Sequence, residues 1–372
     1  MTEDLTTDLS KISGLDILSR SITSGYKGRS VDVREVGKTL NVDYVIEGSG
    51  RKVCDQIRIN VQLVDAKTGA QIWAERYDGS VENIFALQDR MLRQIVDSLT
   101  VKLSEEERSR LAARGTFSVV AHDLYLKGLY QESLFTRAGN DEALRLYEQA
   151  LSIDPDYPLP YARMANIIEL GTRNGWSDDI EADLRRAVSL AKKAVELDPM
   201  DPGNHWSFGR AIARLGEPGS LEKGMSSLET AIQLDPDFAD AYAFRSVLFV
   251  ADGRAEDGLR SVETAMALNP NYPFWYIFMR GMTRFVVEDY EAAIEDFEAA
   301  MERSPTALFV QWWLAAAYAQ VGRIDDAEWQ VEELVMSGFD GSIETIMQTQ
   351  PIKDPVYLER YRTGLLLAGI PE

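Results

Sequence analysis

One phrase recurs between residues 150 and 305, and it limits the fold of this chain more than any other feature. It reads Ala150-Leu-Ser-Ile-Asp-Pro155, Ala194-Val-Glu-Leu-Asp-Pro199, Ala231-Ile-Gln-Leu-Asp-Pro236, Ala265-Met-Ala-Leu-Asn-Pro270 and Ala300-Met-Glu-Arg-Ser-Pro305. The closing prolines are 44, 37, 34 and 35 residues apart. In each copy a helix with small residues on one face runs out at a short polar residue. Proline lacks an amide hydrogen and clashes with the preceding turn, so it bars continuation and is expected to start the next helix. A helical hairpin repeated at about 34 residues cannot bury its apolar face alone, so neighbours must stack into a solenoid.

Charge marks where that array begins. Residues 1–115 carry 17 Lys+Arg against 18 Asp+Glu, a net of −1; the remainder carries 22 against 42, a net of −20. The shift falls beside Ser104-Glu-Glu-Glu-Arg-Ser-Arg and Arg114-Gly115, which suggests two units joined there. A total of −21 argues against nucleic acid as the main partner, because a phosphate backbone demands a basic face.

The repeat phrases resemble the tetratricopeptide repeat (TPR) family, whose small and large residues stand at fixed offsets. The unit 274–307 matches with Gly281, Ala293, Phe297, Ala300 and Pro305. The unit from Pro202 matches with Gly209, Gly216, Gly224, Leu228, Ala231 and Pro236, and carries a three-residue insertion at Glu217-Pro-Gly-Ser. The unit from Pro158 has a ten-residue insertion around Gly171–Asp179; earlier and later units run from about Leu124 and over about 308–340. The unit from Ala239 departs, with Ser246 where glycine is usual and Gly258 where alanine is usual. The resemblance implies an all-α superhelix of about six repeats over 116–341. Residues 342–372 then form a carboxy-terminal capping segment with a short amphipathic helix, Val356–Ala368, that caps the last repeat or folds into the groove.

Residues 1–115 read as a small α+β domain. Leu5, Leu9 and Ile12 share a helix face in 3–13, Leu15-Asp-Ile-Leu-Ser is strand-like, and Val33–Leu40 is a short helix. Three alternating runs follow, starting at Asp43, Gln56 and Ala70, with hairpin turns near Cys54-Asp55 and at Asp65-Ala-Lys-Thr-Gly69. Ile84, Leu87, Met91, Ile95, Leu99 and Leu103 then recur at helical spacing. An antiparallel meander backed by helices is expected. The block Val31-Asp-Val-Arg-Glu-Val-Gly, Tyr44-Val-Ile-Glu-Gly-Ser, Gln62-Leu-Val-Asp-Ala and Trp73-Ala-Glu-Arg-Tyr-Asp is similar to the TolB amino-terminal-like domain. That domain precedes TPR arrays in bacterial adenylate/guanylate cyclase-related and winged-helix regulatory proteins. Such domains begin with an apolar strand; here Met1 stands almost at the first helix. Either the start lies upstream or the sheet lacks an edge strand, and an exposed edge would pair with a second copy into a homo-oligomer.

The chemistry of an active site is missing from this reading. Cys54 is the single cysteine and His122 and His205 the two histidines, which leaves no cysteine-based zinc site and little for histidine chemistry; each is read as structural. No phosphate-binding Gly-x4-Gly-Lys-Ser/Thr loop and no Gly-x-Ser-x-Gly elbow occur, and a cyclase catalytic domain has no room. No metal or cofactor is expected. The start Met1-Thr-Glu-Asp-Leu is acidic, unlike a secretory signal, and no apolar run approaches the ~20 residues of a membrane span, so no membrane insertion and a cytoplasmic location are expected.

What remains is binding. In the TPR family the first helix of each repeat lines the concave face, and carrying those offsets over assigns a groove of Arg163, Asn166, Glu169, Trp206, Arg210, Arg214, Phe244, Val247, Trp275, Phe278, Met279, Met282, Phe285, Phe309, Trp312 and Trp313. Its early half is cationic and amide-rich, its late half aromatic and methionine-rich, which suits a peptide or helix of a protein partner. Trp312 and Trp313 are adjacent and cannot both face inward at full depth. The alternative is the regulatory portion of a cyclase-like or transcription-regulator system, separated from its effector domain.

Overall fold

The computed structural model describes residues 5–6, 9, 15, 17–18, 22–23, 25–29, 31–53, 56–80, 84–99, 116, 118–305, 307–336, 339, 341–348, 350 and 355–372. Backbone contacts divide the chain into Met1–Asp123 and Leu124–Glu372.

In the first unit, helix α1 (Val33–Leu40) precedes three strands, β1 (Tyr44–Val53), β2 (Gln56–Asp65) and β3 (Gln71–Ser80), and helix α2 (Ile84–Ser98) follows them. Asp32 caps α1 by accepting from the Arg34 amide, and Asn41 closes it in the left-handed region. The strands form an antiparallel sheet in the order β1-β2-β3, with Tyr44 opposite Asp65 and Gln56 opposite Ser80. Period-two alternation sends Ile57, Ile59 and Val61 inward, where they meet Leu87, Met91 and Ile95 of α2. The other face is polar: Arg58 pairs with Asp78 at 2.6 Å and Gln62 donates to Glu47 at 2.6 Å. The predicted turn at Asp65–Gly69 is held by the Asp65 carboxylate, which accepts from the amides of Lys67 and Thr68, and Gly69 takes φ +74°. Leu15 and Ile17 pack on this core without forming a strand, so the expectation at 15–19 fails at its described residues. The Cys54-Asp55 turn lies outside them.

The second unit is a helical TPR-like array. Its helices are α3 (Val119–Glu132), which spans the division between the units, α4 (Arg137–Ile153), α5 (Pro158–Arg173), α6 (Ile180–Leu197), α7 (Pro202–Arg214), α8 (Ser220–Leu234), α9 (Ala239–Ala251), α10 (Ala255–Leu268), α11 (Phe274–Val286), α12 (Tyr290–Arg303), α13 (Leu308–Gln320), α14 (Ile324–Met336), α15 (Ile343–Gln348) and α16 (Pro355–Leu367). Glycines set the spacing within pairs. A Cβ on Gly128 would lie 2.4 Å from the Tyr147 ring, one on Gly209 3.0 Å from the Gly224 carbonyl, and one on Gly281 2.8 Å from the Phe297 ring. The alanine that opens each recurrent phrase (Ala150, Ala194, Ala231, Ala265, Ala300) has no exposed surface, because a neighbouring helix fills that place.

The proline's role differs from the expectation. Pro155, Pro199, Pro236, Pro270 and Pro305 do not start the next helix; they sit in the turn, and α5, α7, α9, α11 and α13 begin three or four residues later. The polar residue before each proline ends the helix, its amide donating back to the alanine carbonyl four residues earlier. In four of the phrases its side chain also accepts the amide two residues on, as from Asp154 to Asp156 and from Asn269 to Asn271.

Candidate functional site: the inner face of the repeat array

Helices α5, α7, α9, α11 and α13 present the residues assigned to the groove, and the structure brings most of them together, though not along an open trough. Phe278 lies edge-on to Phe309 at 4.8 Å and to Trp313 at 5.9 Å. Phe244, Met279, Met282, Phe285 and Val247 are buried in the same cluster. The array closes on itself across this face. The Arg173 guanidinium of α5 stands 5.9 Å from the Phe309 ring of α13, and Phe135, between α3 and α4, meets Phe274 of α11 at 5.4 Å.

The tail seals the late half. In α16, Tyr361 packs on Trp313 at 4.7 Å and on Phe285 at 6.0 Å, and Tyr357 stacks on Trp313 at 5.7 Å. A Cβ on Gly364 would lie 2.8 Å from the Ala316 carbonyl, so α16 sits directly on the α13 backbone. Arg360 pairs with Glu288 at 2.8 Å, and Gln320 donates to the Arg360 carbonyl at 2.7 Å. Of the two roles expected for this segment, the structure shows it on residues of the concave face. The expected solvent-facing aromatic groove is therefore corrected: Phe244, Phe278, Met279, Met282 and Phe309 are core side chains here, because bulky rings on a tightly wound superhelix reach one another and the tail. Trp312 and Trp313 are both 2% exposed but diverge, Trp313 into this core and Trp312 onto Phe339 at 5.6 Å.

The early half holds a buried charge cluster. Glu169 of α5 pairs with Arg173 at 3.1 Å, with Arg210 of α7 at 2.5 Å and with Arg214 at 3.5 Å. Burial pushes the Glu169 carboxyl up, but the three guanidiniums outweigh it and hold it at about 2. Burial in turn pulls Arg173 down to about 10 and lowers Arg214. Arg210 also lies over the rings of Trp206 and Phe244, at 4.5 and 5.2 Å. Asn166 is buried nearby on α5.

At the amino-terminal ends of these helices runs a half-buried rim. Arg163 faces Glu132 at 3.5 Å; the Trp206 indole donates to the Asp240 carbonyl at 3.1 Å; Tyr276 donates to the Asp240 carboxylate at 2.5 Å; and Trp275 packs on Tyr276 at 4.4 Å. Burial raises the Asp240 carboxyl, with Tyr276 opposing. Arg163, Trp206 and Trp275 are thus the assigned groove residues that keep solvent contact. Sequence reasoning missed Arg173, Gln350, Tyr357 and Tyr361. Arg173 follows Glu169 by one helical turn and was legible from that spacing. Gln350 is brought in only by the path of the tail.

Among the described residues no cluster of His, Cys, Asp and Glu suits a metal ion, and no helix is long and apolar enough to cross a membrane. His205 Nε2 lies 2.8 Å from the Pro199 carbonyl, and His122 is buried.

Comparison with known proteins bears on both units. Residues 1–95 match the family described as HilA/YgeH-like transcriptional regulator, second domain, and residues 278–336 match a tetratricopeptide repeat family. A Rhizobium meliloti protein named "Putative adenylate cyclase 3" is 38% identical over 213 residues, 57% of this chain and 36% of that protein. The chain thus spans about a third of that relative's length. Among solved structures, a TPR protein of Thermus thermophilus is 21% identical, with 53% of this chain and 98% of that one covered and a TM-score of 0.44. The human IFIT1 dimer with m7Gppp-AAAA is 16% identical, with 65% and 53% covered and a TM-score of 0.48.

Proposed function

We propose that this chain is a non-enzymatic interaction scaffold whose repeat array holds a peptide or helix of a protein partner. The observation that carries this reading is the rim of Arg163, Trp206 and Trp275, half-buried aromatic and cationic side chains in a row on helices whose inner faces are otherwise closed. Tryptophan and arginine are the side chains that most often dominate a protein interface. Asn166, Arg210, Arg214, Phe244, Phe278, Met279, Met282 and Phe309 form the floor or wall behind that rim and set its shape, while Trp312 packs away from it on Phe339. A partner that reaches the late half must first displace α16. The net of −20 over residues 116–372 favours a protein partner over nucleic acid.

A second reading is favoured by the matches themselves. A HilA/YgeH-like regulator domain ahead of a TPR-like array, in a chain related to a cyclase-named protein, fits the regulatory portion of a bacterial signalling or transcription-control system. The TolB-like resemblance and a cytoplasmic location belong to the same proposal, as does pairing of the sheet edge with a second copy. The two readings agree on what the array does: it recognises protein and makes no bond.

The test is a double substitution, Trp206→Ala with Trp275→Ala. Capture of protein partners on immobilised chain should fall at least tenfold while helical circular dichroism is retained. Undiminished capture overturns the rim as the docking surface.

A further inference from the structure

In each of α5, α7, α9, α11 and α13 the residue two places beyond the helix end takes the left-handed backbone conformation. Four of the five are glycines, Gly175, Gly216, Gly253 and Gly322, which adopt it without steric penalty. After α11 the place is held by Glu288, at φ +66°, where a side chain strains the backbone. The turn is otherwise built alike. The Asp289 amide donates to the Arg284 carbonyl at 3.0 Å, as the Arg254 amide does to Phe249 and the Arg323 amide to Tyr318. What glutamate adds at this place is reach: its carboxylate pairs with Arg360 of α16 at 2.8 Å. Glu288 and Arg360 are 56% and 37% exposed, and an ion pair so open to water adds little to stability. Strain that the fold itself does not need points to a contact that serves binding or switching.

The other half of the contact is an amphipathic helix. α16 buries Tyr357, Tyr361, Gly364 and Leu365, which stand at i, i+4, i+7 and i+8. The surface that receives them, Phe285 of α11 with Trp313 and Ala316 of α13, is part of the concave face. Aromatic anchors one turn apart, a glycine at the closest approach and one charge at the edge are how a helix occupies a groove.

We propose that the surface beneath α16 is a helix-docking site, held by the chain's own tail until a partner helix of the same pattern replaces it. That pattern is an aromatic residue at i and i+4, arginine or lysine at i+3 and glycine at i+7. The assignment rests on the reading of the array as a holder of a peptide or helix, and it states what such a helix must carry on the late half. Each element has a receiver: the aromatic pair meets Trp313 and Phe285, the cation meets Glu288, and the glycine clears the Ala316 carbonyl. An acid at i+3 would face the Glu288 carboxylate, and a larger residue at i+7 would be held off α13. The tail is then a tethered competitor that sets how much partner is needed to open the face.

The probe is a fluorescein-labelled peptide of residues 355–372, titrated by anisotropy against the full chain carrying Gly364→Val. In that chain the tethered helix cannot seat, while the peptide keeps its glycine. The peptide should bind saturably and at least tenfold more tightly than to the unsubstituted chain, and a peptide with Tyr357→Ala and Tyr361→Ala should lose at least tenfold. If Gly364→Val does not fold, Arg360→Glu in the chain sets two carboxylates face to face and should tighten the peptide about threefold. In the unsubstituted chain, α16 amides should exchange with deuterium at least tenfold faster than those of α13, as separate opening of the tail requires. No saturable binding to the folded variant, equal binding of the alanine peptide, or exchange of α16 and α13 at one rate overturns the assignment. Adding Trp206→Ala and Trp275→Ala to the Gly364→Val chain should leave peptide binding unchanged. Loss there places the peptide on the rim and overturns the assignment; retained binding with undiminished partner capture overturns only the rim.

Discussion

Two carboxyls in this array, buried Glu169 and half-buried Asp235, are pushed in opposite directions. Glu169 is held at about 2 because three guanidiniums outweigh its desolvation. Asp235 lies in the turn after α8; burial, and then the charges of Asp237 and Asp201, raise it to about 6 against the opposing hydrogen bond from the Asp237 amide. An acid whose folded pKa lies above its unfolded value near 3.8 takes up a proton on folding, so its ionised form costs stability above about pH 6 and costs nothing below about pH 4. Asp235→Asn should therefore stabilise the chain by about 1 kcal/mol at pH 7–8, discounting the full shift for partial solvation, and the gain should vanish by pH 4. Denaturant unfolding at several pH values reads it; a gain that persists at pH 4 rejects the cause. Asparagine suits the turn, since Asn269 already fills the equivalent place and accepts from the Asn271 amide. The Asx-Pro phrase itself was legible in the sequence. The pKa of its aspartate was not, because burial depends on the neighbouring helix pair.

Helix pairs were legible because glycine and alanine repeat at contact positions. The departure at Ser246 and Gly258 also has a physical account. Ser246 is buried on α9, and a Cβ on Gly258 of α10 would lie 2.9 Å from its carbonyl, so the glycine has moved to the facing helix. The tail was harder to place. Its amphipathic pattern predicted a helix, and Tyr357 and Tyr361 mark its buried face, but spacing alone does not say which partner that face finds. Gly364 decides it, since any side chain there meets the α13 backbone at Ala316. Gly364→Val should lift α16, expose Trp313 and Phe285, shift tryptophan emission to the red and cost about 2–3 kcal/mol. Unchanged emission and stability would mean that α16 does not rest on α13 in solution.

At the scale of the whole array, closure was the least legible feature. Contacts such as Arg173 with Phe309 and Phe135 with Phe274 join residues more than a hundred positions apart. They depend on superhelical curvature accumulated from small offsets at each hairpin, which no local pattern encodes. Closure also has an electrostatic consequence. Residues 116–372 carry a net of −20, and winding them tightly brings like charges nearer than an open stack would. Local pairs such as Arg185 with Glu181 and Glu217, or Arg186 with Glu148, relieve part of this, yet 42 acidic against 22 basic residues leaves a large unpaired remainder. Salt acts on both: it weakens exposed pairs worth ~0.2–1 kcal/mol each, and it screens the repulsion summed over all the excess carboxylates. The Debye length falls from about 10 Å at 0.1 M to about 3 Å at 1 M, shorter than most separations between unpaired charges. Screening of the repulsion should win, so the Tm of the array should rise by a few degrees between 0.1 and 1 M sodium chloride, an increment that replacing surface glutamates such as Glu295 and Glu302 by glutamine should shrink. A Tm that falls with salt would show that ion pairs, and not repulsion, govern the closed array.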